Sequence, residues 1–415
     1  MQLGIIKNFC LIGGVQIFRM GTNLVLNKIL SLCLGVSGFG IWSLFLTVSE
    51  LGTTFANFAL PESGIRKIAE TAATDNTILP YTLWVYIRLL LLFAVISAVL
   101  GIVFSDFLST TLFNSPDYRT GIIIVCISII FSALSKGIIA VFNGLRELKS
   151  YMYAQLFGYS AALLISVGMV FIFRESSILP LILLCNALIL LIGCGYFYLK
   201  LPIHEKRPDL RCFLSLSKPI LSVCLGLFLS NLTSVIMMYC SKAYLAREFD
   251  YQTVGIYQAC WSVSGLYVGL LIASMGVDFI PRAMQVIGNN RILNQLVNDQ
   301  LEFSVLLSCL GIVGVLSFSE VILHLLYSSE FVSGVKIIRW QILGVALRVF
   351  AFPFTYSLIA KGKSLFYFIV QAFFWIGEFL LLVLFSKIWG FDGLGINYCV
   401  GYAGYAALVD RKSVV

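Results

Sequence analysis

The chain has 415 residues, 60% of them hydrophobic and 12% charged, and its 28 Lys and Arg exceed its 20 Asp and Glu for a net charge of +8. A soluble domain carries about twice that charged fraction, and so much apolar surface facing water would aggregate. The composition excludes a soluble enzyme, a disordered chain and an ordinary nucleic-acid binder, and it points to a lipid bilayer as the solvent.

A helix of about 20 mainly apolar residues crosses a hydrocarbon core of roughly 30 Å, and backbone in lipid must satisfy its own hydrogen bonds. Twelve such spans are predicted: 8–34, 38–60, 79–104, 120–142, 152–173, 178–199, 214–240, 252–277, 300–326, 335–359, 364–387 and 390–409. The first is too long for the apolar region of a secretory signal and lacks a cleavage site. After the second span, GIRKIAE at 64–70 reads as a short helix lying on the inner leaflet. Its Arg66, Lys67 and Glu70 are polar, and its Ile65, Ile68 and Ala69 apolar. The stretch Arg282 to Val297 is expected to behave in the same way. Outer connections are short, the longest running from Ser105 to Arg119. The most polar break, KLPIHEKRPDLR at 200–211, divides the chain into two six-helix lobes, 1–205 and 206–415.

Basic residues collect in cytoplasmic loops of membrane proteins. With a cytoplasmic N-terminus, sixteen of the 28 Lys and Arg fall on the inner side and six on the outer. The asymmetry favours an even number of spans with both termini cytoplasmic. The lobes also show kinship. Gly40-Ile41-Trp42 opens the second span and Gly255-Ile256-Tyr257 the eighth, an offset of 215, and two further matches fall at offsets of 214 and 211. Six spans per lobe imply a parallel repeat about the membrane normal, and two such lobes are expected to enclose a central cavity.

The 11 cysteines show no CxxC spacing, so neither a zinc site nor a redox pair is expected. There is no Walker A sequence, hence no ATP drive, and no GxSxG, HExxH or Asp-rich motif stands in a loop. No catalytic residue, metal, cofactor or nucleic-acid partner is expected.

Charged groups at bilayer depth are costly and normally face water or the protein interior. Five lie near the middle of spans: Arg19, Glu50, Arg88, Arg348 and Glu378. Ser43, Thr47, Glu50, Thr54 and Asn57 form one helical stripe on the second span. The first span carries Gln16, Arg19, Asn23 and Asn27 on a face. The third carries Tyr81, Trp84 and Arg88, the tenth Gln341 and Arg348, and the eleventh Gln371, Trp375 and Glu378. Stripes of this kind read either as a cavity wall or as contacts holding helices together, and Arg19 with Glu50, or Arg348 with Glu378, could be internal ion pairs. As a cavity wall, the set suits an anionic head bearing sugars. Arginine forks match phosphate oxygens, and aromatic faces, carboxylates and amides suit sugar rings. Substrate contacts are therefore expected from Arg19, Arg88, Arg348, Asn23, Trp84 and Gln341. Glu50 and Glu378 are the candidates for gating and for proton or sodium coupling.

The turn LCLGVSGFGIWSLFLTVSELG at 32–52, the following SGIRKIAE at 63–70, GLRELKSYMYAQLFG at 144–158 and the twelve-span layout give the chain a known likeness. It resembles the Wzx-type flippases of bacterial O-antigen and other surface polysaccharides, in the superfamily that includes multidrug and toxin extrusion transporters and the lipid II flippase. The resemblance implies a cationic central cavity that carries an undecaprenyl-pyrophosphate-linked oligosaccharide from the cytoplasmic to the periplasmic leaflet. It also implies a Gram-negative inner membrane, with the polysaccharide polymerase and chain-length machinery as partners. Arg19, Arg88 and Arg348 are the positions that could supply the charge. The alternative is a cation-coupled multidrug antiporter of the same superfamily, whose site should be lined by acids. A membrane polymerase would need a large outer loop, which the sequence lacks.

Overall fold

A computed structural model describes residues 2–74, 77–173, 176–201, 207–286, 289–360 and 364–408. Every regular element among them is a helix. Nine helical stretches among the described residues are long and apolar enough to cross a membrane. Two of these, Gly13–Thr74 and Tyr367–Ala407, each cover most of two predicted spans. The protein is thus an all-α, multi-pass membrane protein. Its helices pack as two compact units, Met1–Leu34 with Ile41–Val235, and Gly35–Gly40 with Ile236–Val415. The lobe boundary expected at 205/206 falls outside the described residues.

Unit 1 begins with α1 (Gln2–Asn57), broken at Gly35, whose φ of 66° and ψ of −171° are non-helical. Only glycine adopts that backbone without strain, so one apolar run becomes two rods that match the first two predicted spans. Phe58 and Ala59, both at positive φ, turn the chain into α2 (Leu60–Thr74). The helix predicted at 64–70 therefore exists, and of its apolar stripe Ile68 packs inside the protein while Ile65 and Ala69 are half-buried. Ile68 is fully buried against Gly144, and Gly64 lies directly under the Tyr86 ring. Glycine at both contacts lets the helices approach closely there.

The unit continues with α3 (Leu79–Val103), α4 (Ser105–Phe113), α5 (Arg119–Gly144), α6 (Leu148–Phe173), α7 (Leu179–Leu199) and the first part of α8 (Leu210–Glu248). The outer connection expected as a loop contains α4, tied to the start of α5 by an Asp106–Arg119 ion pair of 3.2 Å. Ile220, Cys224 and Phe228 of α8 join the core cluster built by Leu60, Tyr86 and Leu90.

Unit 2 contains the rest of α8, α9 (Tyr251–Gln285), α10 (Asn290–Leu326), α11 (Val335–Ala360), α12 (Ser364–Trp389) and α13 (Ile396–Leu408). Asn289 caps α10 by accepting from the Arg291 and Ile292 amides at 3.1 and 3.3 Å. The second surface helix expected from Arg282 to Val297 is therefore not separate over its later part. Residues 291–297 are the first turns of a long helix, with Leu293, Leu296 and Val297 buried. Ile287 and Gly288 lie outside the described residues.

One contact in unit 2 is reciprocal. A Cβ added to Gly40 would meet the Tyr251 carbonyl oxygen at 2.0 Å, and one added to Gly255 would meet the Val36 oxygen at 2.3 Å. Positions 36 and 40 are related to 251 and 255 by the offset of 215 read from the sequence, so the contact repeats itself about a local two-fold axis.

Candidate functional site

Unit 1 brings the first-span face together with residues of α5 and α6. Arg19 interacts electrostatically with the Tyr159 side chain. Lys136 of α5 interacts electrostatically with Glu50, Arg19 and Glu62. Arg19, Asn23, Glu50 and Lys136 are all exposed at the surface of the unit. Charges cannot face hydrocarbon without large cost, so the face holding Arg19, Glu50 and Lys136 is wet. Arg88 rests on the ring of Trp84 one turn earlier in α3, its Cζ 5.4 Å from the ring centre. Among the described residues neither Arg19 nor Arg88 makes an ion pair, and Arg19 and Glu50 do not form the internal bridge that was one reading of the sequence.

The polar stripe of the second span divides. Ser43 and Thr47 are fully buried, and the Thr47 hydroxyl donates to the Ser43 carbonyl at 2.9 Å. This bond lies within one helix, and both residues are enclosed by protein. Glu50 is exposed and Thr54 and Asn57 half-buried. On α1, Gln16 is drawn to the Tyr151 hydroxyl at 3.4 Å.

Beside Arg19, a pocket of about 220 Å³ opens among α1, α5, α6 and α7. Asn23, Ser49, Ser132, Tyr159 and Asn186 are its polar lining, and Trp42 and several leucines its apolar walls. The buried Ser166 hydroxyl donates to Asn186 Oδ1 at 2.8 Å. A second cavity in the unit, about 280 Å³, is lined almost wholly by apolar groups, among them Phe55, Leu100, Phe104 and Phe107.

In unit 2, Glu378 of α12 is 3% exposed and Asn397 of α13 is fully buried. The Asn397 amide donates to Glu378 Oε1. The buried phenol of Tyr257 lies next to both. Arg348 on α11 donates to the Tyr398 hydroxyl at 3.2 Å and stands over the Tyr402 ring at 5.7 Å. The Arg348–Glu378 ion pair weighed from the sequence does not form among the described residues. Gln341 is fully buried and accepts from the Ser264 hydroxyl at 3.2 Å, so it pins α11 to α9. Trp375 packs beside Trp261 and Phe374.

Sequence reasoning missed Lys136, Tyr159, Asn186, Asn397, Tyr398 and Tyr402. Lys136 lies toward the end of its predicted span, where a long side chain can reach the membrane surface. The others are neutral polar or aromatic residues in apolar helices, and only tertiary packing sets them beside the charges.

Comparison with known proteins gives the same architecture a context. The sequence profile of a family described as polysaccharide biosynthesis protein matches residues 29–336. The Lipid III flippase of Escherichia coli (strain K12) is 23% identical over 389 residues, covering 89% of this chain and 87% of that protein. An inward-facing multidrug resistance MATE family transporter of the MOP superfamily superposes with a TM-score of 0.80 at 15% identity, over 94% of this chain and 92% of its own. The lipid II flippase MurJ in an inward closed conformation gives 0.73 at 15%, over 95% and 85%. At such identities the two structural likenesses establish a shared fold.

Proposed function

The chain belongs to the polysaccharide biosynthesis protein family, among the Wzx-type flippases that its sequence resembles, and from that premise we propose the following function. The protein moves an undecaprenyl-pyrophosphate-linked repeat unit of O-antigen or another surface polysaccharide from the cytoplasmic to the periplasmic leaflet by alternating access. One observation carries this reading. Arg19 and Arg88, mid-span by sequence, lie beside Tyr159 and Trp84 and among the described residues make no ion pair with a carboxylate. A guanidinium neutralised by a buried acid has little left to offer an anion. One held on a neutral ring keeps its charge and its fork for phosphate oxygens.

In this reading Arg19, Arg88 and Arg348 meet the pyrophosphate and Asn23 and Trp84 contribute to the substrate's surroundings, while Gln341, expected among the substrate contacts, is fully buried and acts only by bracing the helix that carries Arg348. Glu50 and Glu378 are the groups on which a proton or sodium ion would act. Twelve spans in two six-helix lobes, 1–205 and 206–415, sit in a bacterial inner membrane with both termini cytoplasmic. The polysaccharide polymerase and chain-length machinery take the product. The rival reading, a cation-coupled multidrug antiporter, gains from the fold likeness to the MATE transporter, but a cation site asks for an acid lining. The wet face of unit 1 carries Arg19 and Lys136 against Glu50.

Deletion of the gene tests the proposal. Undecaprenyl-linked repeat units should accumulate on the inner leaflet and surface polysaccharide should disappear, both restored by the plasmid-borne gene. Unchanged surface polysaccharide, together with organic-cation binding by the purified protein and none of a glycosylated prenyl pyrophosphate, would establish the antiporter instead.

A further inference from the structure

We propose that the pocket beside Arg19 in unit 1 is a subsite for one sugar ring of the carried glycan, recognised through the side-chain amide of Asn186. The inference rests on the flippase reading above and adds to it where the first sugar sits and which group reads it.

The volume bears on the occupant. Drug-sized ligands occupy pockets of about 300–1,000 Å³, and this one holds about 220 Å³. It is too small for a whole oligosaccharide or a drug-sized cation, and it suits a single ring. The lining is mixed, as a ring with apolar C–H faces and a hydroxylated rim requires. The neighbouring cavity of similar size, lined by Phe55, Leu100 and Phe104, has almost no polar lining. The difference marks this pocket as one for an oxygen-rich guest.

The orientation of Asn186 is fixed from behind. Ser166 is 1% exposed, and its hydroxyl proton is shared between the Ala162 carbonyl at 2.7 Å and Asn186 Oδ1 at 2.8 Å. With the amide oxygen engaged, the two N–H groups of Asn186 remain donors without a partner among the described residues. A hydrogen-bonded positioning residue behind an unengaged donor pair is how a site is preorganised for an acceptor. Tyr159 also lines the pocket and interacts electrostatically with Arg19, so a phosphate held by Arg19 would lie one side chain from the pocket. A sugar attached directly to that phosphate has the reach to enter. A site built around a hydrogen-bonded polar group discriminates strongly against analogues lacking the partner, because its own groups are then left unpaired.

The experiment uses the full-length protein in nanodiscs, with binding of undecaprenyl pyrophosphate measured bare and as a panel carrying a single glucose, galactose or N-acetylglucosamine. The wild type should bind its best glycosylated lipid about tenfold or more tightly than the bare one. Asn186→Leu should bind the bare lipid as the wild type does and show a preference of less than about twofold. Ser166→Ala, which keeps the amide but frees it to turn, should give an intermediate preference, and it decides the matter alone if Asn186→Leu is not monodisperse. Full sugar preference retained in these variants overturns the subsite while leaving the flippase reading intact. So does a wild type that binds bare and glycosylated lipids equally. A wild type that binds neither lipid overturns both.

Discussion

Asn397 donates its side-chain amide to the Glu378 carboxylate, and the pair is almost completely enclosed by unit 2. Among the described residues this amide is the only hydrogen-bond donor to the carboxylate, and no cation faces it. A buried carboxylate so lightly compensated is unusual, since charge out of water is normally paired or hydrogen-bonded several times over. Its position suits a group that takes up a cation or a proton during transport.

Glu378→Gln should separate folding from coupling. The glutamine carbonyl accepts the same Asn397 bond, so melting in detergent should stay near that of the wild type. Glu378→Ala leaves the Asn397 donor buried and unpaired, at a cost of about 1–3 kcal/mol. In proteoliposomes Glu378→Gln should flip lipid without responding to an imposed proton or sodium gradient. A wild-type response would remove the carboxyl from coupling.

Arg88→Ala should abolish surface polysaccharide while the protein's level in the membrane remains normal. Loss of a charge-assisted contact of about 1.5–3 kcal/mol corresponds to pyrophosphate binding weakened roughly tenfold to a hundredfold. Arg88→Lys should recover only part, because an ammonium lacks the fork and stacks less well on Trp84. Wild-type polysaccharide in Arg88→Ala cells would take Arg88 out of the site.

Gly40→Ala and Gly255→Ala each push a methyl group into a backbone carbonyl of the facing helix. Each should lower stability by about 1–3 kcal/mol, read as a lower melting temperature of the purified protein. The double variant should cost less than the sum, since both disturb one contact. Unaltered melting of the single variants would show that the helices separate easily.

Asp392→Asn removes the exposed Lys336–Asp392 pair, whose atoms are 2.6 Å apart. Both side chains are more than half exposed, so the loss should be under about 1 kcal/mol, with melting and flipping barely changed. A large effect would mean that this loop takes part in transport.

Much of the architecture was legible because lipid imposes a simple rule on composition. The helices α3, α5, α6, α7, α11 and α12 begin and end within a few residues of the predicted spans. The break at Gly35 was also readable, as a glycine-rich turn between two apolar runs. α4 was not, because nine residues with little amphipathic pattern look like a loop until packing fixes them. The stripes on spans one, two, three, ten and eleven mix exposed charges with buried polar groups, and spacing alone could not tell the two apart. Ser43 and Thr47 turned out to bond within their own helix or pack, Glu50 to reach water, and Gln341 to tie α11 to α9. Nor could it show that Arg348 would meet Tyr398 and Tyr402, which lie fifty and more positions away in the chain.

The glycine contact at positions 40 and 255 limits how this protein can drift. Most packing errors in a core are rescued by a complementary change, a large residue growing where its neighbour shrank. Here the obstacle on each side is main chain, the carbonyls of Tyr251 and Val36, and main chain cannot be trimmed by mutation. No second-site substitution can make room for a side chain at either glycine, whereas the identities of residues 36 and 251 are unconstrained by it. Descendants of this sequence should therefore keep both glycines or lose the close approach altogether, with no graded path between.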